Sequence, residues 1–193
     1  MRADIDAETE RLVGRLHASP TMAVVAVAGA GAQALAWLLG APGASRTILE
    51  AQVPYARPSL VEFLGYEPEQ VVSAQTARDM ACWAYTRAVH LREGDVPVVG
   101  VGCTATIATD RPKRGGHRCH VAAWNERGVT TYSLEYVKGL RDRVGEEGLV
   151  SMVVLHALAE ASRVDSQLPM ALDERERIEV GSVHYEDAIK ALL

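Results

Sequence analysis

Aromatic residues are scarce in this chain, at 5% of its 193 residues, with a single phenylalanine, Phe63. A core built without them must come from Val, Leu, Ala and Ile, and hydrophobic residues at 48% supply enough for one well-buried domain. No apolar run reaches the length of a membrane span. The opening decapeptide is acidic and polar, so it lacks the charged-then-apolar pattern of a secretory leader. Cysteine is limited to Cys82, Cys103 and Cys119, an odd number at irregular spacing. That is not a disulfide framework, and it predicts a cytoplasmic protein with reduced thiols. An excess of basic charge is missing too. The net charge of -5 argues against nucleic acid as a partner.

What is present alternates between two periodicities. Ile5, Leu12, Val13 and Leu16 recur at helical spacing, which predicts an amphipathic helix over Asp4 to Ala18, ended by Ser19-Pro20. Met22 to Ala28 is a continuous valine-rich run, the mark of a strand buried on both faces. A Gly29-Ala30-Gly31 turn leads into a helix from Ala32 to Leu39, stopped by Gly40, Pro42 and Gly43. Thr47 to Val53 reads as a second strand and Pro58 to Leu64 as a short helix. Ala74 to Leu91 reads as a long helix capped by Ser73. Val96 to Val101 forms a third buried strand, closed at Gly102. The segment from Cys103 to Gly116 is irregular. His117 to Trp124 and Val129 to Leu134 make a hairpin, and Val144 to Ala161 a last amphipathic helix. The pattern predicts a three-layer α/β/α sandwich with a mixed, mostly parallel sheet and a C-terminal antiparallel hairpin. Residues 1–162 form the domain. Residues 163–193 are left as a charged tail or linker with a short helix from Tyr185 to Leu193.

Ligands of open α/β sheets bind beyond the carboxyl ends of the strands. Gly29 and Gly31 fall at one such end, directly before a helix, where free amides and the helix dipole favour an anion. Gly102 and Thr104 fall at a second, with Thr106 close behind. The run Arg111-Pro112-Lys113-Arg114-Gly115-Gly116-His117 sets three cations beside two glycines in an acidic protein. Arginine offers phosphate a planar fork, lysine a point charge, and glycine a close approach of the backbone. The plainer alternatives are a tight turn that binds nothing and a solvated loop that keeps a hairpin edge soluble. Gly29, Gly31 and Ala34 match G-x-G-x-x-A, and Glu50 stands near the spacing of a ribose-binding acid, but it falls inside a strand and the sheet does not continue in parallel units. No phosphate loop of the G-x-x-x-x-G-K type exists. Cys103, His117 and Cys119 are the most that could converge on a metal, because Cys119 and His120 point to opposite faces of a strand. No metal and no cofactor are therefore expected. Cys103 would act as a nucleophile only if a nearby cation or helix N-terminus lowered its pKa; otherwise it is a small buried hydrophobe.

Four stretches in register resemble the C-terminal domain of the competence-damage-inducible protein CinA. They are Ala41-Pro42-Gly43-Ala44-Ser45; Val53 to Arg57 with Leu64-Gly65; Val72-Ser73 with Thr76-Ala77 and Met80-Ala81; and Gly100-Val101-Gly102 through Lys113 to Gly116. The resemblance spans about Asp4 to Ala161 and implies the α/β fold of the nicotinamide-nucleotide amidases. It also implies a small phosphorylated ligand such as a pyridine nucleotide, and a homodimer or higher oligomer. The departures are specific. The family's polar S-C-T-G-G run reads Ala28-Gly29-Ala30-Gly31-Ala32 here. Its Y-S-N-x-x-K pattern reads Tyr55-Ala56-Arg57-Pro58-Ser59-Leu60. A hydroxyl nucleophile needs a neighbouring base, and neither partner stands at those positions. Ser45, Tyr55, Thr104 and Lys113 match family positions; the first three are the remaining catalytic candidates. Arg57, Arg111, Lys113, Arg114, Gly116 and His117 join Gly29, Gly31, Gly102, Thr104 and Thr106 as expected ligand contacts. The leading expectation is a nucleotide- or phosphate-binding or regulatory module. A nicotinamide-nucleotide amidase-type hydrolase and a structural or oligomerisation domain are the alternatives.

Overall fold

A computed structural model describes residues 6–110, 115–166 and 170–185. Helix α1 spans Ala7–Ala18, strand β1 Met22–Ala28, helix α2 Ala32–Gly40 and strand β2 Ile48–Gln52. Helices α3 (Arg57–Leu64) and α4 (Ala74–Leu91) follow, then strands β3 (Val98–Thr106), β4 (His117–Asn125) and β5 (Gly128–Tyr136). Helix α5 (Arg143–Ala161) and strand β6 (Ile178–His184) complete the order. Side chains cap α1 and α4, the second at the expected Ser73 and the first at Asp6, which the expected helix had included. Asp6 Oδ1 accepts from the amides of Glu8 and Thr9 at 2.9 Å each, and Ser73 Oγ accepts from Thr76 N–H at 3.1 Å.

The six strands form one sheet in the order β2-β1-β3-β4-β5-β6. β2, β1 and β3 run parallel; β4, β5 and β6 are antiparallel to their neighbours. The expected mixed α/β sheet is observed, but it is not mostly parallel: three of its five strand pairings are antiparallel, because β6 adds a third antiparallel strand beyond the hairpin. Alternate residues of β1 serve opposite layers. Ala23, Val25 and Val27 join the main core with α1, α2 and α5, while Val24, Ala26 and Ala28 face α3 and α4. Burying the apolar surface of such a run on both faces contributes about 25 cal/mol per Å² removed from water.

Two further expectations are corrected. β3 does not end at Gly102 but continues to Thr106, because β4 pairs along it from Gly100↔Trp124 to Thr106↔Arg118. Gly100 and Gly102 are not turn residues. A Cβ on Gly100 would stand 2.3 Å from Ala81 O, and one on Gly102 2.4 Å from both Ala77 O and Ala81 N. Their missing side chains let α4 lie directly on the sheet. Part of the expected tail is sheet: Ile178–His184 pairs beside β5, with Leu134↔Ile178 and Gly128↔His184 at the ends of the register. β6 is exposed over most of its length and carries Gly181 at its centre, so it gives no alternating apolar pattern. The expected C-terminal helix, beyond Tyr185, lies outside the described residues.

Candidate functional site: a cavity at the carboxyl ends of the parallel strands

β1 delivers the chain to Gly29 and Gly31 in left-handed conformations, φ +88° and +97°. At Gly29 the constraint is absolute in a second way: a Cβ would meet Ala105 O at 2.0 Å. Gly31 caps α2 without a side-chain acceptor of its own. The acceptor arrives from α5. Glu147 Oε1 accepts from Gly31 N–H at 3.0 Å and from Gln33 N–H at 3.1 Å. The amides that the sequence offers to an outside anion are thus held by the protein's own carboxylate, at the positive end of the α2 dipole.

Beside this contact lies a cavity of about 350 Å³. Val27, Ala30 and Val53 give it apolar walls; Gln33, Tyr55, Arg143 and Glu147 give it polar ones, and Gly29 lines it with backbone. Arg143 is the first residue of α5. Its Nη1 donates to Ala108 O at 2.9 Å, and Nη2 lies 3.5 Å from the Tyr55 hydroxyl. Tyr55 is 65% exposed. A cation and a carboxylate therefore face one space, each anchored on one side and open on the other.

The first turn of α5 also carries a buried carboxylate that does not line the cavity. Glu146 is fully buried; its Oε2 accepts from Ala108 N–H at 2.7 Å and its Oε1 is 2.8 Å from His117 Nδ1. Ala108 and His117 flank the basic segment, so one carboxylate ties both of its ends. His117 is only 6% exposed and serves this contact.

The other expected residues separate. Gly29 and Tyr55 line the cavity and Gly31 contributes its amide to Glu147. Thr104 is buried on the α4 side of the sheet, where its hydroxyl donates to Val71 O at 2.7 Å, and Gly102 lies under α4. Thr106 is half-buried at the end of β3 and Gly116 is exposed before β4. Arg57 pairs with Glu67 at 2.6 Å on the surface, and exposed Ser45 sits in a short turn of helix over Ala44–Arg46. None of these six lines the cavity. Arg111, Lys113 and Arg114 lie outside the described residues. Burial pushes the Cys103 thiol well above its ordinary range, and that of Cys119 up to about 12. Both stay protonated near neutrality, which removes the thiolate that a nucleophile or metal ligand needs. Among the described residues no group of three metal-ligating side chains forms.

Sequence reasoning missed Arg143, Glu147 and Gln33. The signal for the first two was available: Arg143, Glu146 and Glu147 are charges at the head of an otherwise apolar helix, and i, i+3, i+4 spacing puts them on one face.

The molecule is an α/β sandwich whose cavity opens beyond the carboxyl ends of parallel strands, at a glycine turn into a helix. The fold is similar to that of solved proteins of the CinA superfamily. The competence/damage-inducible protein CihA from Agrobacterium tumefaciens has a TM-score of 0.63 at 21% identity, over 82% of this chain and 98% of that one. A CinA superfamily protein from Enterobacter cloacae has a TM-score of 0.57 at 18% identity, over 84% of this chain and 95% of that one. One from Escherichia coli has 0.55 at 18% identity, over 83% and 93%. No protein-family model matches the sequence, and no curated protein matches it.

Proposed function

We propose that the chain is a binding or regulatory module on the CinA fold, taking a small phosphorylated ligand in the cavity of Tyr55, Arg143 and Glu147 without hydrolysing it. One observation carries this reading. Among the described residues, the cavity is lined by a single side-chain hydroxyl, Tyr55, and by no lysine or histidine. Acyl transfer needs a hydroxyl or thiol beside a base that takes its proton. The positions that would carry hydroxyls in the amidase pattern are Ala28, Ala30 and Ala56. Thr104, the threonine that matches it, spends its hydroxyl on Val71 O on the far side of the sheet. What the cavity does offer is recognition. Arg143 takes a phosphoryl group, and the Glu147 carboxylate faces a donor or cationic group on the same ligand. A pyridine nucleotide, with a phosphate at one end and a pyridinium ring and carboxamide at the other, meets both requirements.

The test is incubation with nicotinamide mononucleotide, with ammonia release measured beside a thermal-shift titration. A shift that Arg143→Ala abolishes, with no ammonia above the blank, is expected. Ammonia production at enzymatic rates would establish the hydrolase instead. No shift with any pyridine nucleotide would leave the structural reading.

A further inference from the structure

A second cavity, of about 370 Å³, opens at the opposite end of the sheet, where β1 and β3 begin. It is bounded by Pro20, Pro97 and the exit of α5, and by the β4–β5 turn. Two arginines line it, Arg127 and Arg163, with Glu126 as its one acid. Several arginines elsewhere are tied down by their guanidinium groups, among them Arg15 to Asp165 O, Arg46 to His17 O, Arg118 to Val72 O and Arg141 to Glu176. Arg127 and Arg163 make no such bond to any described residue, by guanidinium or ion pair.

Arg163 stands out on a second, independent ground. Its φ is +58°, and it is the one non-glycine residue with positive φ among the described residues. It follows the last turn of α5, where Arg163 N–H donates to Glu160 O at 3.0 Å and Val164 N–H to Ala159 O at 2.8 Å. This double contact is the helix ending that glycine makes most readily. Nothing in the backbone asks for an arginine there, and the left-handed conformation disfavours one. The helix end does not need its charge either: Asn125 Nδ2 donates to Ala161 O at 3.1 Å, and Ser162 N–H covers Leu158 O at 3.0 Å.

We infer that this cavity binds a small multivalent oxyanion, carrying phosphoryl or carboxylate groups, between Arg127 and Arg163. Two guanidinium forks on a shared concave surface match a ligand with several charged oxygens better than a single carboxylate. Arg163 is held in an unfavourable conformation because it presents one fork there, which makes the strain part of the site. The inference stands apart from the first cavity, on different residues at the other end of the sheet.

The experiment uses the full chain with Arg143→Ala, which removes the cation of the first cavity. Inorganic phosphate, pyrophosphate and citrate are titrated calorimetrically into this parent and into the same chain with Arg163→Gly, Arg163→Lys or Arg127→Ala added. Binding of pyrophosphate or citrate to the parent is expected to weaken at least tenfold with Arg163→Gly and with Arg127→Ala, and by less with Arg163→Lys. The Arg163→Gly protein is expected to melt at a higher temperature than its parent without anion, so the loss of binding is not a loss of fold. Unchanged affinity in Arg163→Gly would overturn the inference, as would a parent that binds none of the three anions.

Discussion

The two cavities, at opposite ends of one sheet, differ in how their charges are committed. At the carboxyl end the charged groups already have partners within the fold. Glu147 caps α2, Glu146 ties Ala108 to His117, and Arg143 holds Ala108 O. At the amino end Arg127 and Arg163 have no such partner among the described residues. A ligand entering the first cavity adds to an existing network, whereas one entering the second supplies the counter-charge. A glycine turn before a helix is thus not in itself an anion site, because the fold can supply the anion.

Glu146 holds the carboxyl-end network together. Glu146→Ala leaves an imidazole and an amide buried without their acceptor, and is expected to cost about 3 kcal/mol in urea unfolding. A cost below about 1 kcal/mol would mean the carboxyl-end network is not structural. The same end carries a titratable clamp. Arg141 donates to both oxygens of Glu176 at 2.7 Å each, and Val137 N–H adds a third bond at 2.9 Å. The guanidinium holds the Glu176 carboxyl down to about 2 from an ordinary 4.5. A carboxyl with a depressed folded-state pKa contributes stability above its unfolded pKa and loses it as pH falls toward the folded one. Glu176 is therefore expected to contribute about 2 kcal/mol to the loss of stability between about pH 4.5 and 2, and Glu176→Gln to make that loss smaller by this amount.

Smaller effects sharpen the contrast. Glu147→Ala removes the α2 cap and is expected to cost about 1 kcal/mol, partly restored by millimolar acetate or phosphate at the vacated amides. If neither anion restores stability, the amides are not an anion seat even when empty. Arg163→Gly is expected to gain about 1 kcal/mol, read as a rise in melting temperature. A fall would place Arg163 among the groups the fold needs and erase the difference between the ends.

How far the sequence announces all this depends on the distance over which each feature is determined. β1, α2 and α4 are legible to within a residue, since a buried valine run, a glycine stop and a serine cap act locally. The end of β3 is not, because its last residues are strand only through pairing with β4. Gly100 and Gly102 read as a turn until α4 is seen lying on them. β6 is held by its neighbour β5, with little burial of its own to pattern it. The site divides the same way. Gly29 and Tyr55 are visible from the strand-end rule, but the acceptor for Gly31 comes from a residue 116 positions away. Only the charge pair Glu146-Glu147 at the head of an apolar helix hints at it.

Recognition without turnover at the carboxyl-end cavity is measured by calorimetric titration of nicotinamide mononucleotide, with the titrated mixture then assayed for free acid and ammonia. Saturable binding that Arg143→Ala weakens at least tenfold, with the nucleotide recovered intact, is the predicted result. Recovery of the deamidated acid in proportion to time and protein would contradict it.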